Sequence, residues 1–327
     1  MQGKINMMRL MLVFSTALLV LKFFAWWLTK SNAILVDALE SIVNVVAGAF
    51  ALFSIIYASR PRDKDHPYGH GKIEFVSAGF EGALVLLAGG FIFCEAIKDL
   101  FVPHPIAKAD IGAYLIAFSG LCNFIMGKII VNRGIKQNSA LMKANGKHLI
   151  TDTVSSIGIF AGLMLIHFTG LSWIDNVLAI LFGSFIFYTG FKIVRESFGN
   201  LLDEQDQEKI DLLVKVLNEN RRENWIDMHN LRVLKYGSGL HVDAHITLPW
   251  YLTLELAHAE VDAVEKLVTK EIGTEMEFFI HSDPCLPKSC AICSVKNCPE
   301  RKHEQVKKLE WTKENMLPDS KHTIGSK

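Results

Sequence analysis

Long apolar stretches dominate the first 200 residues of the chain. Six of them contain about 20 residues or more, enough at a helical rise of about 1.5 Å per residue to cross the roughly 30 Å hydrocarbon core of a bilayer. The pattern predicts membrane-spanning helices over residues 7–28, 32–57, 75–97, 110–132, 148–168 and 173–194. The lipid bilayer is therefore a predicted partner of this chain.

The hydrophobic pattern changes beyond the sixth stretch. Apolar residues recur at helical spacing over residues 206–220 and 252–271. Residues 228–236, 240–248 and 275–282 are typical of strands, and the second of these alternates cleanly between polar and apolar positions. The order helix, strand, strand, helix, strand predicts a small two-layer α+β domain with αββαβ topology.

The chain is thus predicted to have three parts. Residues 1–203 form a six-helix transmembrane bundle, residues 204–284 form the α+β domain, and residues 285–327 form a Cys-rich tail. Within the tail, residues 304–327 are polar and are predicted to be disordered. The fold class is therefore an α-helical membrane protein that carries an additional two-layer α+β domain. The turn between its first two strands is predicted at Gly237-Ser238-Gly239.

Charge distribution predicts how the chain is oriented in the membrane. Lys and Arg gather in the loops after the second, fourth and sixth apolar stretches, which places those loops and both termini in the cytoplasm. The α+β domain is then cytoplasmic, and the bundle belongs to the plasma or inner membrane. The chain has 34 Lys and Arg against 34 Asp and Glu, a balance that gives no support for a nucleic-acid partner.

Polar residues lie inside two of the apolar stretches, where charged side chains are costly unless they are paired or coordinated. Asp37, Glu40 and Asn44 share one face of helix 2, and His148 and Asp152 share one face of helix 5. If the two faces meet, Glu40, Asn44, His148 and Asp152 offer four ligands of the kind that divalent transition metals accept. Asp37 is then a supporting residue beside the ligands.

The alternative is that these groups form hydrogen bonds between packed helices and that His148, near a helix end, is solvated. Asp175, at the start of helix 6, is expected to cap that helix.

Taken together, these features resemble the cation diffusion facilitator family over residues 1 to about 285. The resemblance also includes the loop Asp-Lys-Asp-His-Pro-Tyr-Gly-His-Gly-Lys at residues 63–72 and the ending His-Ser-Asp-Pro-Cys at residues 281–285. It implies a homodimeric exporter of zinc, iron, manganese or cobalt driven by proton antiport. Family members usually carry Asp or His followed by Asp on helix 2, whereas this chain has Glu40 and Asn44.

The loop between helices 2 and 3 is a candidate for a second metal site. Two imidazoles and one carboxylate, from His66, His70 and Asp63, are able to hold one ion with water as a fourth ligand. The resemblance implies a weaker metal site here, and an ion pair between Lys72 and Asp203 that holds a dimer together. The alternative is a solvated, charged loop.

The α+β domain is the place of a third candidate site. The resemblance implies a binuclear metal site, with an aspartate able to bridge two ions, that ties two protomers together. Its predicted ligands are His229, His245, His258, His281 and Asp283.

The tail contains four cysteines with the spacing C-x4-C-x2-C-x4-C. Four thiolates are able to hold one Zn²⁺ tetrahedrally, so Cys285, Cys290, Cys293 and Cys298 predict a further metal site. An iron–sulfur cluster and a reduced, disordered tail are the alternatives.

The predicted function is export of a divalent metal ion, zinc or iron first and manganese or cobalt next, in exchange for protons. The alternative is a membrane-bound metal sensor or buffer that does not transport. A metallo-hydrolase is disfavoured because the chain lacks His-Glu-x-x-His, Gly-x-Ser-x-Gly and phosphate-binding glycine motifs. The chain is thus predicted not to be an enzyme.

Overall fold

The computed structural model describes residues 2–101, 108–136, 140–237, 239–272 and 276–322. Side chains are described from Arg9 onward, except at residues 134, 136 and 140–145. Ser238 of the predicted hairpin turn and residues 323–327 of the tail lie outside the described residues. The chain divides into a membrane unit, Met1–Tyr57 with Val76–Phe198, and an α+β unit, Ala58–Phe75 with Gly199–Lys327.

Six long helices confirm the predicted membrane bundle. They are α1 (Gln2–Thr29), α2 (Asn32–Ala58), α3 (Ile73–Phe101), α4 (Ala109–Lys136), α5 (Ala140–Thr169) and α6 (Trp173–Leu201). Each is long and apolar enough to cross a membrane. Several extend past the predicted apolar stretches, because a helix continues through polar residues once it leaves the hydrocarbon layer. The chain is a multi-pass membrane protein.

Glycines allow close packing of the helices within the membrane unit. A Cβ added to Gly89 on α3 would lie 2.6 Å from the backbone nitrogen of Phe187 on α6. A Cβ added to Gly127 on α4 would lie 2.8 Å from the carbonyl oxygen of Gly146 on α5. Small residues that bring helix backbones together are a common basis of helix association in membranes. The α4–α5 contact fixes the position of the helix that carries two predicted metal ligands.

Asp175 caps a helix, but not the one that was predicted. Its carboxylate accepts hydrogen bonds from the Ser31 hydroxyl at 2.6 Å and from the Asn32 backbone N–H at 2.6 Å. These donors lie at the start of α2, whose first backbone N–H groups have no partner within the helix. The cap therefore ties α6 to α2, and the prediction that Asp175 caps its own helix is wrong.

The α+β unit has the predicted αββαβ order. Its elements are α7 (Gln207–Glu219), β1 (Asp227–Tyr236), β2 (Gly239–Leu248), α8 (Leu254–Ile272) and β3 (Met276–Pro284). Strand β2 is central, pairing antiparallel with β1 and parallel with β3. Its alternate apolar residues are buried beneath α7 and α8, which confirms the alternation read from the sequence. The polar positions of β2 lie on the opposite face of the sheet.

A β-bulge interrupts β1 between His229 and Arg232. Asn230 within it has a φ of 53°, in the left-handed region that asparagine tolerates better than most residues. Such an extra residue shifts the alternation of the strand and leaves a backbone group unpaired in the ladder. Met228 and Leu231 therefore both lie in the core, and the Asn230 N–H is available to another segment.

That segment is the tail, which packs against the α+β unit. Trp311 and Met316 are buried in the same core as α7, α8 and the sheet, with 1% and 0% of their surface exposed. The Arg221 guanidinium lies 4.0 Å from the centre of the Trp311 ring. The tail contains a 3₁₀ helix (Pro287–Ala291) and a short α9 (Lys313–Met316). The predicted disorder is therefore wrong for residues 304–322, because this polar segment contains two apolar anchors.

Candidate metal sites

In the membrane unit, the side-chain amide of Asn44 contacts two other predicted ligands, Asp152 and His148. Asn44 on α2 donates its Nδ2 hydrogen to Asp152 Oδ2 on α5 at 3.3 Å. Its Oδ1 lies 3.2 Å from His148 Nε2, and His148 Nε2 lies 3.8 Å from Asp152 Oδ1. Asp152 is buried, whereas half of the His148 side chain is exposed. The structure thus brings three of the four predicted ligands together.

Glu40 lies one helical turn before Asn44 on α2. Its side chain is half-buried, and among the described residues it has no hydrogen bond or ion pair. Three groups of metal-ligating residues in the described part of the chain have all ligand atoms within 4.8 Å of one another, and Glu40, His148 and Asp152 do not form one of them. Asn44, His148 and Asp152 are therefore in contact, but Glu40, His148 and Asp152 do not form a compact group of ligand atoms.

A crevice opens beside Asn44 and His148. Its other walls come from α1 and from the second half of α2, including Met11, Gly48 and Leu52. Gly48 and Leu52 lie between Asn44 and the C-terminal end of α2, and His148 lies in the first third of α5. The crevice therefore extends from the ligands toward the C-terminal end of α2, beside the first third of α5.

Lys22 is a polar residue of the membrane unit that the sequence analysis missed. It lies on α1 with 3% of its surface exposed, and its Nζ donates to Asp37 Oδ1 at 2.8 Å and to Ser41 Oγ at 2.9 Å. An ammonium group inside an apolar stretch is a signal that the sequence does contain. The charge of Asp37 is thus balanced by a lysine, one helical turn from Glu40.

The loop between α2 and α3 forms the first compact group. His66 Nδ1 lies 3.0 Å from Asp63 Oδ1, and His70 Nε2 lies 3.2 Å from Asp63 Oδ2. The His66 backbone N–H donates to the same carboxylate at 2.7 Å and holds the pKa of Asp63 below its ordinary value. His70 is buried and the other two are exposed. The loop therefore presents three ligands in one place, as its spacing predicts.

Two ion pairs hold this loop within the α+β unit. Lys72 Nζ lies 2.8 Å from Asp203 Oδ1, which is the pairing that the family resemblance implies. Arg62 donates two hydrogen bonds to the carboxylate of Glu277 on β3, at 2.9 and 3.1 Å. The second contact fixes the loop to an edge strand of the sheet.

A row of three histidines crosses the polar face of the sheet. His229 on β1 pairs with His245 on β2, which pairs with His281 on β3. Successive ring centres are 5.1 and 4.8 Å apart. This register puts three imidazoles side by side, and the last two join Asp283 in a second compact group. His245 Nδ1 lies 3.3 Å from Asp283 Oδ2.

Asp283 is also held by a tail residue. Burial alone would raise the pKa of this carboxyl, but a hydrogen bond from Lys321 holds the pKa below its ordinary value. The Lys321 Nζ lies 3.2 Å from Asp283 Oδ1. A third compact group contains His229, His245 and Asp319, the last of which is likewise a tail residue. Neither tail residue was predicted at this site, because no local pattern in the sequence places it near the sheet.

His258 does not join these groups within one chain. It lies on α8 with 74% of its side chain exposed, and its Nε2 lies 3.6 Å from Asp262 Oδ1. Helix α8 packs through Val264 and Val268 on the apolar face of the sheet, opposite the histidine row. The prediction that His258 completes the cluster is therefore wrong for a single chain.

The four tail cysteines line one pocket, together with residues that include Trp250 and Arg301. All four are free thiols, and burial raises the pKa of Cys285 and of Cys293. The backbone N–H groups of Trp250 and Val295 donate to the sulfurs of these same two cysteines. The predicted residues are thus brought to one place, although their sulfurs are not among the groups that lie within 4.8 Å.

Hydrogen bonds from the backbone and from Arg301 hold the wall of this pocket in place. The Cys285 backbone N–H donates to the Leu248 carbonyl at the end of β2, at 2.8 Å. Arg301 donates to the carbonyls of Cys293 at 3.4 Å and Val295 at 2.5 Å. The polypeptide around the thiols is therefore fixed by hydrogen bonds that do not involve sulfur.

Each of the two units matches the model of a known protein family. Residues 8–202 match the model of the cation efflux transmembrane domain. Residues 205–285 match that of the cation efflux protein cytoplasmic domain. The first match alone covers more than half of the chain. Apart from Cys285, which is the last matched residue, the tail with its other three cysteines and Asp319 lies beyond both matches.

Curated relatives agree with this assignment. The chain is 29% identical over 264 residues to an uncharacterized transporter of Synechocystis sp., covering 81% of this chain and 85% of the relative. It is 27% identical over 286 residues to the cation-efflux pump FieF of Citrobacter koseri, covering 84% and 90%. Over 287 residues it is 28% identical to FieF of Salmonella newport, covering 83% and 89%.

Proposed function

The chain belongs to the cation efflux family, and on this premise we propose that it exports divalent transition-metal ions in exchange for protons. Zinc and iron are the proposed cargo, with manganese and cobalt next. The observation that carries the proposal is the contact of Asn44 and His148 with the buried Asp152. A buried carboxylate beside an imidazole and an amide is a typical setting for a divalent cation in a membrane protein.

The contacts at Asp152 explain how metal and proton exclude each other. Asn44 Oδ1 and His148 Nε2 lie in hydrogen-bond contact at 3.2 Å, so a metal ion that binds both atoms must take the place of the proton that they share. The His148 nitrogen holds either a proton or a metal ion, and so does each carboxylate. Loading the site with metal thus releases protons, and protonation from the other side releases the metal.

The surroundings of the site support alternating access. The crevice beside Asn44 and His148 leads toward the helix ends assigned to the cytoplasm. The pair of Lys22 and Asp37 lies on the other side of Glu40, toward the opposite end of α2. The site is open on one side and closed by a buried ion pair on the other, as an inward-facing exporter requires. The plasma membrane, with both termini in the cytoplasm, is the proposed location.

The compact groups of the α+β unit have a different role in this proposal. The loop group and the histidine row bind divalent ions that remain with the protein and hold two protomers together as a homodimer. The pairing of Lys72 with Asp203 contributes to the same dimer. Because these ligands are already close together, binding costs little reorganisation, and metal affinity adds to the stability of the assembly.

The compactness of these groups also favours a second candidate function, a membrane-bound metal sensor or buffer. In that case the α+β unit binds metal, and the membrane site moves none. The two candidates make opposite predictions for flux.

Flux into proteoliposomes tests the proposal. The full chain is reconstituted in vesicles with an imposed pH gradient, and uptake of Zn²⁺, Mn²⁺ and, without oxygen, Fe²⁺ is measured with a fluorescent indicator inside. We expect uptake that follows the pH gradient and reverses when the gradient is reversed. Metal binding without uptake supports the sensor, and uptake that ignores the gradient contradicts proton coupling.

A further inference from the structure

We propose that the C-terminal tail supplies a metal ligand to the α+β unit, so that Asp319 completes a three-ligand site with His229 and His245. The inference rests on the proposed binding of divalent metal by this unit. It goes further because Asp319 lies 34 residues beyond residue 285, where the match to the family's cytoplasmic domain ends. The ligand class is a divalent transition ion such as Zn²⁺, Fe²⁺ or Co²⁺.

The geometry of the three side chains carries the proposal. One ligand atom from each lies within 4.8 Å of the others. His229 is 3% exposed, and its Nδ1 lies 3.9 Å from Asp227 Oδ2 but has no hydrogen-bond partner in the described part of the chain. A buried ring nitrogen without a partner is costly, and coordination of an ion by the ring is one way to offset that cost. His245 is half-buried and Asp319 is exposed, so an ion has a route in from solvent.

The tail is held where Asp319 is needed. The bulge in β1 leaves the Asn230 N–H without a partner in the sheet, and it donates to the Pro318 carbonyl at 2.9 Å. Four residues further on, the His322 N–H donates to Asp227 Oδ2 at 2.9 Å. Asp319 thus lies between two anchored positions, one on either side of it. Its placement follows from backbone hydrogen bonds and not from a surface charge contact.

The two carboxylates near His245 differ in their neighbouring charges. Asp283 is the carboxylate of the other group, and its Oδ1 lies 3.2 Å from the Lys321 ammonium. This fixed positive charge opposes a cation at Asp283. Asp319 has no ion pair within the described residues, so its full negative charge faces the imidazoles. Asp283 Oδ2 also lies 3.6 Å from His229 Nε2 and 3.3 Å from His245 Nδ1, so Asp319 adds a second carboxylate to the same pair of imidazoles.

The experiment measures zinc affinity of the purified full chain in detergent, by competition with a chromophoric chelator. His229→Ala identifies the binding step that belongs to this unit. Asp319→Asn removes the ligand, and Glu310→Gln removes a charge from an exposed position of the same tail as the matched control. Asp319→His removes the charge but keeps a ligand, which separates coordination from electrostatics.

We expect His229→Ala and Asp319→Asn to weaken the same step by about tenfold or more. Asp319→His should retain most of the zinc affinity, and Glu310→Gln should bind zinc as the wild type does. The double variant that combines His229→Ala with Asp319→Asn should bind no more weakly than His229→Ala alone. If His229→Ala weakens the step and Asp319→Asn does not, the inference is overturned while metal binding by the unit stands. Equal losses in Asp319→Asn and Asp319→His overturn coordination by Asp319. No loss in His229→Ala refutes metal binding at the row itself.

Discussion

The membrane unit and the α+β unit arrange their metal-ligating residues in opposite ways. In the membrane unit, Asp152 and His148 meet through the amide of Asn44, and Glu40 has no partner among the described residues. In the α+β unit, paired strands hold imidazoles and carboxylates within 4.8 Å of one another. One arrangement must change its contacts before it holds an ion, whereas the other needs little change.

This difference matches what each proposed site has to do. A transport site must release its ion after every cycle, so an internal hydrogen bond that competes with the metal is useful there. A resident site gains from ligands fixed in advance, because less ordering entropy is lost when the ion binds. The comparison predicts that substitutions in the membrane unit change flux, while substitutions in the α+β unit change stability and metal content.

The largest expected effect is on flux through the membrane unit. Asp152→Asn replaces the buried carboxylate by an amide of the same shape, and we expect metal uptake into proteoliposomes to fall by about 100-fold or more, since a metal-bound anion is lost. Zinc content of the α+β unit stays unchanged. Glu196→Gln, at an exposed carboxylate of α6, is the matched control. Normal uptake by Asp152→Asn would remove this site from the transport path.

The next effect concerns the thiol pocket of the tail. Cys293→Ser removes a buried thiol, and we expect the purified chain to lose one equivalent of zinc and to unfold at a temperature several degrees lower, because metal binding adds to stability. Cys94→Ser, at an exposed cysteine of the membrane unit, is the control. Metal analysis and thermal unfolding provide the two readings. Iron and sulfide in place of zinc would identify a cluster and contradict the zinc assignment.

A moderate effect is expected at the residue that links the membrane ligands. Asn44→Asp replaces the donating amide by a carboxylate, so the hydrogen bond to Asp152 gives way to repulsion that a divalent ion relieves. We expect zinc to bind about tenfold more tightly and to be released more slowly. Binding and flux measured for zinc and manganese provide the test, with Asn44→Ala for comparison. Identical behaviour of both variants and the wild type would exclude Asn44 from the site.

The smallest effect is a pH dependence of tail docking. The hydrogen bond between His322 Nδ1 and Asp227 Oδ1, 2.6 Å long, raises the pKa of His322. A raised pKa contributes stability that is complete below the ordinary value of about 6.5 and is lost as the pH rises through the raised value. The imidazole is partly solvated, so we expect its charge to contribute less than about 1 kcal/mol to the stability of tail docking.

Amide hydrogen exchange at Asn230 reports this docking, because its N–H donates to the tail carbonyl of Pro318. The control is His322→Gln, which removes the titrating group and is measured at the same pH values. At pH 6 the Asn230 amide should exchange more slowly in the wild type than in this variant, and at pH 8.5 the two should exchange at the same rate. Extra protection that is the same at both pH values would show that the imidazole does not contribute through its charge.

Local patterns predicted much of this molecule. Six apolar runs located the membrane helices, and the alternation of β2 placed His245 on the face opposite the core. These features depend on residues that are close in sequence. The spacing of Asp63, His66 and His70 likewise indicated a group that lies within a single loop.

The rest depends on contacts that no local pattern contains. The row of histidines requires a register set by the bulge at Asn230. Asp319 reaches it because the tail docks on residues about 90 positions earlier in the chain, through Trp311 and through the hydrogen bonds of Pro318 and His322. Lys22 is different, since a lysine within an apolar helix was visible in the sequence. The sequence does not show that Lys22 pairs with Asp37, because this pairing depends on how α1 packs against α2.

The buried pair of Lys22 and Asp37 has a consequence for the energetics of exchange across a membrane potential. Its two charges cancel, so the charge of the proposed site comes from Glu40 and Asp152, which when both are ionised carry two negative charges, equal in size to the charge of one divalent ion. The proposed site is then neutral when it holds one divalent ion, and neutral again when both carboxylates are protonated and His148 is not. Moving one elementary charge across 100 mV involves about 2.3 kcal/mol, but this exchange moves none. A third proton on His148, or a second acid in place of Asn44, would make the proposed exchange carry net charge, so the voltage dependence of flux counts the protons that are exchanged.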